Sequence, residues 1–386
     1  MSVYILGGAR TPQGSFLGTL ATVSAPKLGA IAIEGALVKS NIEKNKIDEI
    51  FMGNAVQAGV GQAPARQAAL FAGVSESTLC TTINKVCGSG LQSVILGAKS
   101  ILTDDAKIVI AGGMENMSMA PHLLPNSRGG FKFGTTELKD SMQWDGLWDV
   151  YSDQPMGNCA EECTQKFDLT REAQDNFSIN SFKRAQAAQA DGVFASEITP
   201  VVIKSRKGET EVKDDEGPGK VRFDKISSLR PAFKKDGTIT AANASTINDG
   251  ATALVLAGEE YKEQAKFKIL GWAGHAQEPT WFTIAPVAAI NKNLKNLNLS
   301  VNDIDLWEIN EAFAAVTMVA MKELQLDESK VNVFGGAVSL GHPIGASGAR
   351  ILLTLTNAME RKNAKLGCAA ICIGGGEALS IIIERL

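Results

Sequence analysis

The pattern of apolar and polar positions along the chain predicts short buried strands that alternate with amphipathic helices. The clearest case is the segment 82–102, which is β-prone at its start, rich in glycine in its middle and apolar at helical spacing at its end. Cys87 is therefore expected where a strand turns sharply into a helix. The apolar face of that helix is formed by Leu91, Val94, Ile95, Ala98 and Leu102.

The same order of elements occurs a second time, which predicts a duplicated α/β unit. Residues 304–315 parallel residues 47–59, and residues 368–380 parallel residues 107–119. Between these blocks each half has an apolar strand, a glycine-rich turn and a helix, found at 331–355 in the second half. Three matching blocks in one order, at a nearly constant offset, indicate duplication rather than chance.

The first half is interrupted by a long insert, because its last expected strand, at 250–260, is far from the strand before it. We therefore expect an N-terminal half formed by residues 1–116 and 245–271, an inserted loop or cover domain at 117–244, and a C-terminal half at 272–386. The insert has a helical middle and a charged, glycine-containing loop. An exposed cover is one interpretation of that loop, and a disordered linker is the other.

Serine residues mark the expected starts of two helices. Ser24, followed two residues later by Pro26, is expected to cap a helix that runs to Lys39. Ser347 is expected to cap the helix that follows the glycine-rich turn of the second half.

Composition favours an ordinary globular protein of 386 residues, 45% hydrophobic and 21% charged, which is long enough for two or three domains. With a net charge of −4, the chain has no overall positive potential that would attract nucleic acid. No apolar run is long enough to span a bilayer, and no secretory signal opens the chain. Six dispersed cysteines fit reduced thiols, so we expect the cytoplasm, or the mitochondrial matrix after removal of a transit peptide.

Cys87 is the candidate nucleophile. A helix N-terminus presents free N–H groups and a positive dipole end, and both favour a thiolate. Gly88 and Gly90 let the backbone approach whatever the sulfur attacks. The alternative is a small buried residue beside a tight turn, which is a common place for a free cysteine.

His342 is the candidate base, and it is one of only three histidines. It lies in GHPIGASG, the counterpart of the Cys87 turn in the second half. Two such turns can face each other across a pseudo-twofold axis, which would bring the imidazole to the thiol. The alternative is a histidine that its neighbours hold in a rigid turn, and we assign such structural roles to His122 and His275.

Two further residues end predicted strands. Cys372 precedes three glycines whose N–H groups could donate to an oxyanion, although a core thiol, the role we assign to Cys368, is the alternative. Asn310 could hold a water or orient a carbonyl group.

Cys159 and Cys163 have helical spacing, but no second Cys/His pair accompanies them, so we expect packing and no metal site. No phosphate-binding glycine motif lies between a strand and a helix.

Taken together, NKVCGSG around Cys87, NEAF at Asn310, GHPIGASG around His342 and CIGGGEA around Cys372 resemble the motifs of the thiolases. The segment ANASTINDGA at 242–251 adds to the match, and the resemblance covers the whole chain. It implies an α/β, thiolase-like fold with two similar βαβαβαββ halves in five-layer α-β-α-β-α packing and an inserted loop domain.

The resemblance implies a role for each motif residue. Cys87 accepts the acetyl group, and His342 activates it and lines a first oxyanion hole. Asn310 holds the water of that hole, and Cys372 is the acid or base at the acetyl α-carbon. The backbone N–H groups of Cys87 and Gly374 form a second oxyanion hole. A Claisen condensation needs these parts: a nucleophile for the acyl group, a base beside the α-carbon and donors at both oxygens.

The resemblance also implies substrate contacts. Ser245 contacts the pantetheine arm of coenzyme A, and Phe282 lines the acyl pocket, where a bulky ring favours a short chain. Lys220 and Arg222 are candidates for the phosphates of coenzyme A. Many family members have a His-Met pair at the cover segment, and here proline replaces the histidine while Met156 is kept.

The implied activity is the reversible condensation of two acetyl-CoA to acetoacetyl-CoA and CoA, through an acetyl-cysteine and with ping-pong kinetics. Coenzyme A and acetyl-CoA are substrates, and no cofactor is expected, although ANAST resembles short-chain members of which some bind a potassium ion. A homotetramer, a dimer of dimers with a contact at 128–134, is expected. Nucleic acid and membranes are not expected partners.

Three alternatives follow from the same motifs. A 3-ketoacyl-CoA thiolase for longer chains differs in its acyl pocket, and a chain-length series of substrates would separate it. A β-ketoacyl synthase-like enzyme normally lacks the cysteine of CIGGG, so Cys372 argues against it. An inactive scaffold that binds acyl-CoA would be indicated by loss of Cys87, His342 or Cys372, and none is lost.

Overall fold

The structure, a computed structural model, describes residues 2–206 and 208–386. The helices are α1 (Ala25–Ser40), α2 (Pro64–Phe71), α3 (Ser89–Leu102), α4 (Met156–Lys166), α5 (Arg171–Ala190), α6 (Gly217–Lys220), α7 (Ala285–Leu297), α8 (Ala314–Leu324), α9 (Ala337–Leu340) and α10 (Ile344–Lys362). The strands are β1 (Val3–Arg10), β2 (Gly14–Ser15), β3 (Glu49–Gly53), β4 (Leu79–Ile83), β5 (Ile108–Asn116), β6 (His122–Leu123), β7 (Lys139–Asp140), β8 (Trp148–Asp149), β9 (Gln154–Pro155), β10 (Val201–Ser205), β11 (Gly208–Val212), β12 (Asn248–Ala257), β13 (Phe267–Ala276), β14 (Leu306–Ile309), β15 (Leu366–Ile373) and β16 (Glu377–Arg385).

The predicted duplication is visible in the main sheet, whose strand order is β14-β15-β16-β13-β1-β12-β5-β3-β4. The two halves meet where β1 pairs with β13. Outward from that pair, β12 corresponds to β16, β5 to β15 and β3 to β14. In each half the strand next to the centre, β12 or β16, runs antiparallel to both of its neighbours.

Helices form three layers around the two halves of the sheet. Helices α3 and α10 pack against each other and against strands of both halves, and their apolar residues form a central core. Helices α1 and α2 cover the outer face of the first half, and α7 and α8 cover that of the second. Strands β5 and β12 are buried along their whole length, as strands covered on both faces must be.

Glycine lets α3 and α10 approach closely. A Cβ at Gly90 would lie 2.8 Å from the backbone nitrogen of Ala349, and one at Gly348 would lie 2.4 Å from that of Leu91. Any larger residue would therefore push the helices apart. The close packing brings the two helix N-termini side by side, together with the turns that precede them.

The prediction of a strand at the start of 331–355 was wrong. Only an isolated bridge joins Val331 to Trp307. Asn332 has a left-handed backbone, with φ of +46°, and its side-chain amide donates to the carbonyl of Ile309 and accepts from its N–H. One side chain therefore makes the hydrogen bonds that a neighbouring strand would have made to β14.

Two expectations about helix faces and ends were also wrong, and a third, the N-cap at Ser24, was correct in position but not in its side-chain bond. Ser24 lies at the N-cap of α1, but its side chain makes no capping bond, and Pro26 removes one of the N–H groups that such a bond would use. Helix α10 begins at Ile344, so Ser347 lies inside its first turns rather than at its cap. Leu102, at the end of α3, is 40% exposed and does not join the buried face.

The region 117–244 contains α4, α5 and several short hairpins. Helix α5 confirms the predicted helical middle, and the side chain of Thr170 accepts a capping bond from Ala173. The predicted charged loop starts at the end of β10 and includes β11 and α6, while residue 207 lies outside the described residues. The three-part division of the chain stays a prediction. Within the described ranges, no helix is both long and apolar enough to cross a bilayer.

Candidate active site

A cavity of about 260 Å³ opens where the predicted catalytic turns meet. Cys87 precedes α3, His342 precedes α10, and Gly374 follows β15, so each is presented by the end of a buried element. Asn310 and Cys372 are buried and do not line this cavity. The predicted site residues that line the cavity are Cys87, Met156, Ser245, Phe282, His342 and Gly374.

Cys87 is held as a neutral thiol. Its own N–H and that of Gly374 donate towards the sulfur, which matches the predicted second oxyanion hole. Burial, and to a smaller extent the charge of Glu115, nevertheless raise the pKa of the Cys87 thiol to about 12. The helix N-terminus, which favours a thiolate, therefore does not by itself deprotonate Cys87, because desolvation outweighs it. A base must remove the proton when the sulfur attacks.

His342 is oriented as such a base. The hydroxyl of Ser347 donates to the carbonyl of Pro343 at 2.9 Å and lies 2.6 Å from Nδ1 of His342. With the hydroxyl proton on Pro343, Nδ1 carries the ring proton and donates to Ser347. Nε2 then has a free lone pair, and it has no partner among the described residues. Burial, and secondarily Arg350, lower the pKa of His342 to about 3, so the imidazole is neutral.

Asn310 and Cys372 are both buried. The N–H of Asn310 donates to the carbonyl of Ala370 at 2.9 Å, which fixes Asn310 at the end of β14. Neither polar atom of its side chain has a partner within residues 2–206 and 208–386, and a buried amide needs one from water or a ligand. Burial, with Cys87 nearby, raises the pKa of Cys372 well above its ordinary value. Cys368, two strand periods earlier on the same face of β15, is a core residue as expected.

Aromatic and thioether side chains line the apolar wall of the cavity. The ring of Phe282 lies 6.3 Å from that of Phe313, and the ring of Phe313 lies 6.1 Å from that of Phe233. Met156 starts α4 and contacts the region of Gly374. Phe313 belongs to the NEAF motif itself, so its role could have been inferred, whereas Phe233 lies in the insert and no local signal marked it.

A second cavity, of about 330 Å³, lies beside the first, and Thr246 lines both. Lys220 and Arg222 line this second cavity. In the structure Lys220 pairs with Glu216 at 3.5 Å, and Arg222 pairs with an aspartate at 3.7 Å. Ser245, which precedes Thr246 and lines the first cavity, donates its N–H to the carbonyl of Ala312.

Cys159 and Cys163 have separate environments. Cys159 receives a bond from Gln154 at 3.4 Å and lies 3.8 Å from Asp149, whereas Cys163 is buried in another environment. In the part of the chain that the structure describes, no three His, Cys, Asp or Glu side chains come together in a way that could hold a metal ion.

Comparisons with known proteins assign the family. The model for "Thiolase, N-terminal domain" matches residues 3–260, and that for "Thiolase, C-terminal domain" matches residues 263–385. The chain belongs to the thiolase family. It is 50% identical to an acetyl-CoA acetyltransferase of Schizosaccharomyces pombe, over 100% of this chain and 99% of that protein.

Two further relatives come from Gibberella zeae. A cytosolic acetyl-CoA acetyltransferase is 49% identical over 100% of this chain and 98% of its own length, and a mitochondrial one is 48% identical over 99% and 90%. The crystal structure of a thiolase from Ascaris suum in complex with coenzyme A covers both chains completely, with a TM-score of 0.94 and 44% identity. The predicted family, the thiolase fold and the assignment as an acyltransferase are thereby confirmed.

Proposed function

We propose that this protein is an acetyl-CoA C-acetyltransferase that condenses two acetyl-CoA reversibly to acetoacetyl-CoA and CoA. Full-length relatives of about 50% identity that bear this name support the proposal. The observation that carries it is the pairing of a thiol with a free base in one cavity. Cys87, with two N–H donors at its sulfur, shares the cavity with a neutral His342, whose Nε2 has no partner among the residues that the structure describes.

The first half-reaction transfers an acetyl group to the enzyme. The sulfur of Cys87 attacks the thioester carbonyl of acetyl-CoA while Nε2 of His342 takes the thiol proton. Because burial makes a free Cys87 thiolate costly, proton transfer accompanies attack. The C–S bond of the thioester breaks and the CoA thiolate takes the proton of Cys372. This half-reaction leaves acetyl-Cys87, CoA, a thiolate at Cys372 and an imidazolium at His342, whose charges balance.

The second half-reaction forms the carbon–carbon bond. The thiolate of Cys372 removes a proton from the methyl group of a second acetyl-CoA, and the enolate oxygen is held by the Nε2–H of His342 and by a water on Asn310. The enolate attacks acetyl-Cys87, whose oxygen receives the N–H groups of Cys87 and Gly374. Cys87 leaves as a thiolate and recovers its proton from His342, so every group returns to its starting state.

The size of the cavity supports a short acyl chain. The packed rings of Phe233, Phe282 and Phe313 close the apolar side of a cavity of about 260 Å³. A 3-ketoacyl-CoA thiolase for longer chains is the alternative, and it would need these rings to move apart.

Coenzyme A is proposed to extend from this cavity across Thr246 into the second one. Ser245 would contact its pantetheine arm, and the cations of Lys220 and Arg222 would exchange their present carboxylate partners for phosphate. The complex of the Ascaris suum thiolase with coenzyme A supports the class of ligand.

We further propose a homotetramer in the cytoplasm. The predicted contact segment 128–134 exposes Phe131 and Phe133, by 48% and 104%, and contact with another subunit would bury them. A relative named as cytosolic supports the compartment, although another is named as mitochondrial. Light scattering after gel filtration tests the assembly, and an assay with and without potassium tests the predicted ion.

Thiolysis of acetoacetyl-CoA by CoA tests the function. The wild type should cleave this substrate, while Cys87→Ser should neither turn over nor form an acetyl-enzyme. Cys372→Ser should still form the acetyl-enzyme but not complete the cycle. Cys368→Ser, on the same face of the same strand, is the matched control and should remain active. A wild type that binds acyl-CoA without turnover would instead be an inactive scaffold, and parallel assays with 3-ketohexadecanoyl-CoA and 2-methylacetoacetyl-CoA would define chain preference.

A further inference from the structure

The residue before the nucleophile has a backbone conformation that its side chain disfavours. Val86 has φ of +47°, in the left-handed region that β-branched residues rarely occupy. The twin turn of the second half has its left-handed residue at the same place, one position before His342, but there it is Gly341, with φ of +105°. Glycine would adopt the left-handed conformation without strain at both positions. The side chain of Val86 must therefore have a role that glycine could not perform.

Hydrogen bonds hold Val86 in this conformation. Its N–H donates to the side chain of Asn84 at 3.1 Å, and its carbonyl accepts from the hydroxyl of Ser89 at 2.6 Å. The N–H of Lys85 in turn donates to the same hydroxyl at 2.8 Å. The turn is therefore fixed on both sides of Val86, and the strained backbone cannot relax on its own.

The side chain of Val86 lies against the glycine turn that follows β15. A Cβ placed on Gly374 would be 3.8 Å from Cγ1 of Val86, and the N–H of Gly374 donates towards the sulfur of Cys87. At the other end of the glycine turn, Lys85 forms an ion pair with Glu377. The nucleophile turn of one half and the glycine turn of the other thus meet at the ion pair of Lys85 with Glu377, and Cγ1 of Val86 lies beside Gly374.

We propose that Val86 is a positioning residue, whose γ-methyl groups support Gly374 so that its N–H stays aligned with the sulfur of Cys87. It acts through Gly374 and touches no reacting atom. The strained backbone directs the methyl groups at Gly374, which explains why glycine, sufficient in the twin turn, does not replace valine here. The inference rests on the proposed function only for its kinetic effect, because the contact between Gly374 and the sulfur can be measured without substrate.

Three variants distinguish support of Gly374 by Val86 from simple packing of the Val86 side chain. Val86→Thr keeps the branched shape and should retain kcat within about threefold. Val86→Ala and Val86→Gly both remove the support, and kcat should fall about 10- to 100-fold in each, with KM for CoA changed less than twofold. Only the alanine keeps a disfavoured left-handed backbone, so the glycine variant should unfold at the higher temperature of the two.

A substrate-free readout is alkylation of Cys87 by iodoacetamide as a function of pH. Loss of the Gly374 N–H from the sulfur destabilises the thiolate, so the alkylation profile of the alanine and glycine variants should shift to higher pH, while that of the threonine variant should not. Leu17, which also has a left-handed backbone with φ of +54° but is 68% exposed, is the control. Leu17→Gly should also unfold at a higher temperature than Leu17→Ala, with kcat and alkylation unchanged.

The possible results separate clearly. Unchanged kcat and alkylation in Val86→Ala and Val86→Gly would overturn the proposal, as would a threonine variant as impaired as the alanine. A glycine variant less stable than the alanine would overturn the strain argument. A wild type without thiolysis activity would refute the proposed function, and the alkylation profiles would still decide the role of Val86.

Discussion

The hydroxyl of Ser347 should control the protonation pattern of the catalytic imidazole, and Ser347→Ala removes it. In the wild type this hydroxyl accepts the Nδ1 proton of His342 at 2.6 Å and so leaves Nε2 free to take a proton. Without it, the imidazole has no partner that favours one tautomer over the other. The tautomer with the proton on Nε2 cannot accept the proton of Cys87.

The size of the effect follows from the burial of the site. His342 is 6% exposed, so in the variant a buried N–H loses its only acceptor, which costs about 1–3 kcal/mol. The penalty bears on the productive tautomer and on the imidazolium that forms when His342 takes the proton of Cys87, because both carry a proton on Nδ1 and both lose the same acceptor. Since each 1.36 kcal/mol corresponds to a factor of ten, we expect kcat to fall about 10- to 100-fold.

The assay is thiolysis of acetoacetyl-CoA at saturating CoA, with kcat and KM determined separately. Ser93→Ala is the matched control, because the hydroxyl of Ser93 donates to the carbonyl of Ser89 at 2.9 Å in α3, as that of Ser347 donates to Pro343 in α10. Both serines are fully buried, but only Ser347 contacts the histidine. Ser347→Thr keeps the hydroxyl and should restore most of the activity.

The reasoning would be refuted if Ser347→Ala retained kcat within twofold of the wild type. It would also be refuted if Ser93→Ala lost as much activity, since the effect would then reflect helix packing. A fall confined to KM would indicate that the serine acts on substrate binding.

Three further predictions can be checked with standard measurements. Phe282→Ala removes one of the packed rings, so the ratio of kcat/KM for 3-ketohexanoyl-CoA to that for acetoacetyl-CoA should rise about tenfold, and an unchanged ratio would show that another residue limits chain length. Because the pKa of the Cys87 thiol is raised to about 12, iodoacetamide should react slowly at pH 7 and faster with each unit up to pH 10, and a plateau below pH 8 would contradict the assignment of a neutral thiol. Asp215→Asn breaks a buried bidentate pair with Arg10, at 2.7 and 2.8 Å, and should lower the free energy of unfolding in urea by about 3–5 kcal/mol, whereas a loss below 1 kcal/mol would mean that the pair is not structural.

The catalytic turns could be predicted because their signals are local. Cys87 and His342 each lie in a short glycine-rich segment between two apolar runs, and Cys372 ends one apolar run before three glycines. The duplication was visible for the same reason, since strands and helices repeat in one order along the chain. The correspondence of the strands about the β1–β13 pair confirms that interpretation.

The predictions failed where contacts between residues distant in the sequence overrode a local structural preference. The segment after Val331 has the apolar residues of a strand, but the side chain of Asn332 makes the bonds to Ile309 that would have required one. Phe233 lies 80 residues before Phe313 in the sequence, and the folding of the insert brings the two rings together. Patterns of apolar residues carry no information about such partners.

The sequence by itself determined which residues end each buried element, and therefore which chemical groups the site contains. The tertiary structure decided their protonation. A helix N-terminus favours a thiolate at Cys87, but the surrounding layers remove water from the sulfur, and burial outweighs the helix. The free lone pair of His342 likewise depends on Ser347 and on the burial of the ring. Protonation depends on every group packed around a site, and those groups come from both halves of the chain.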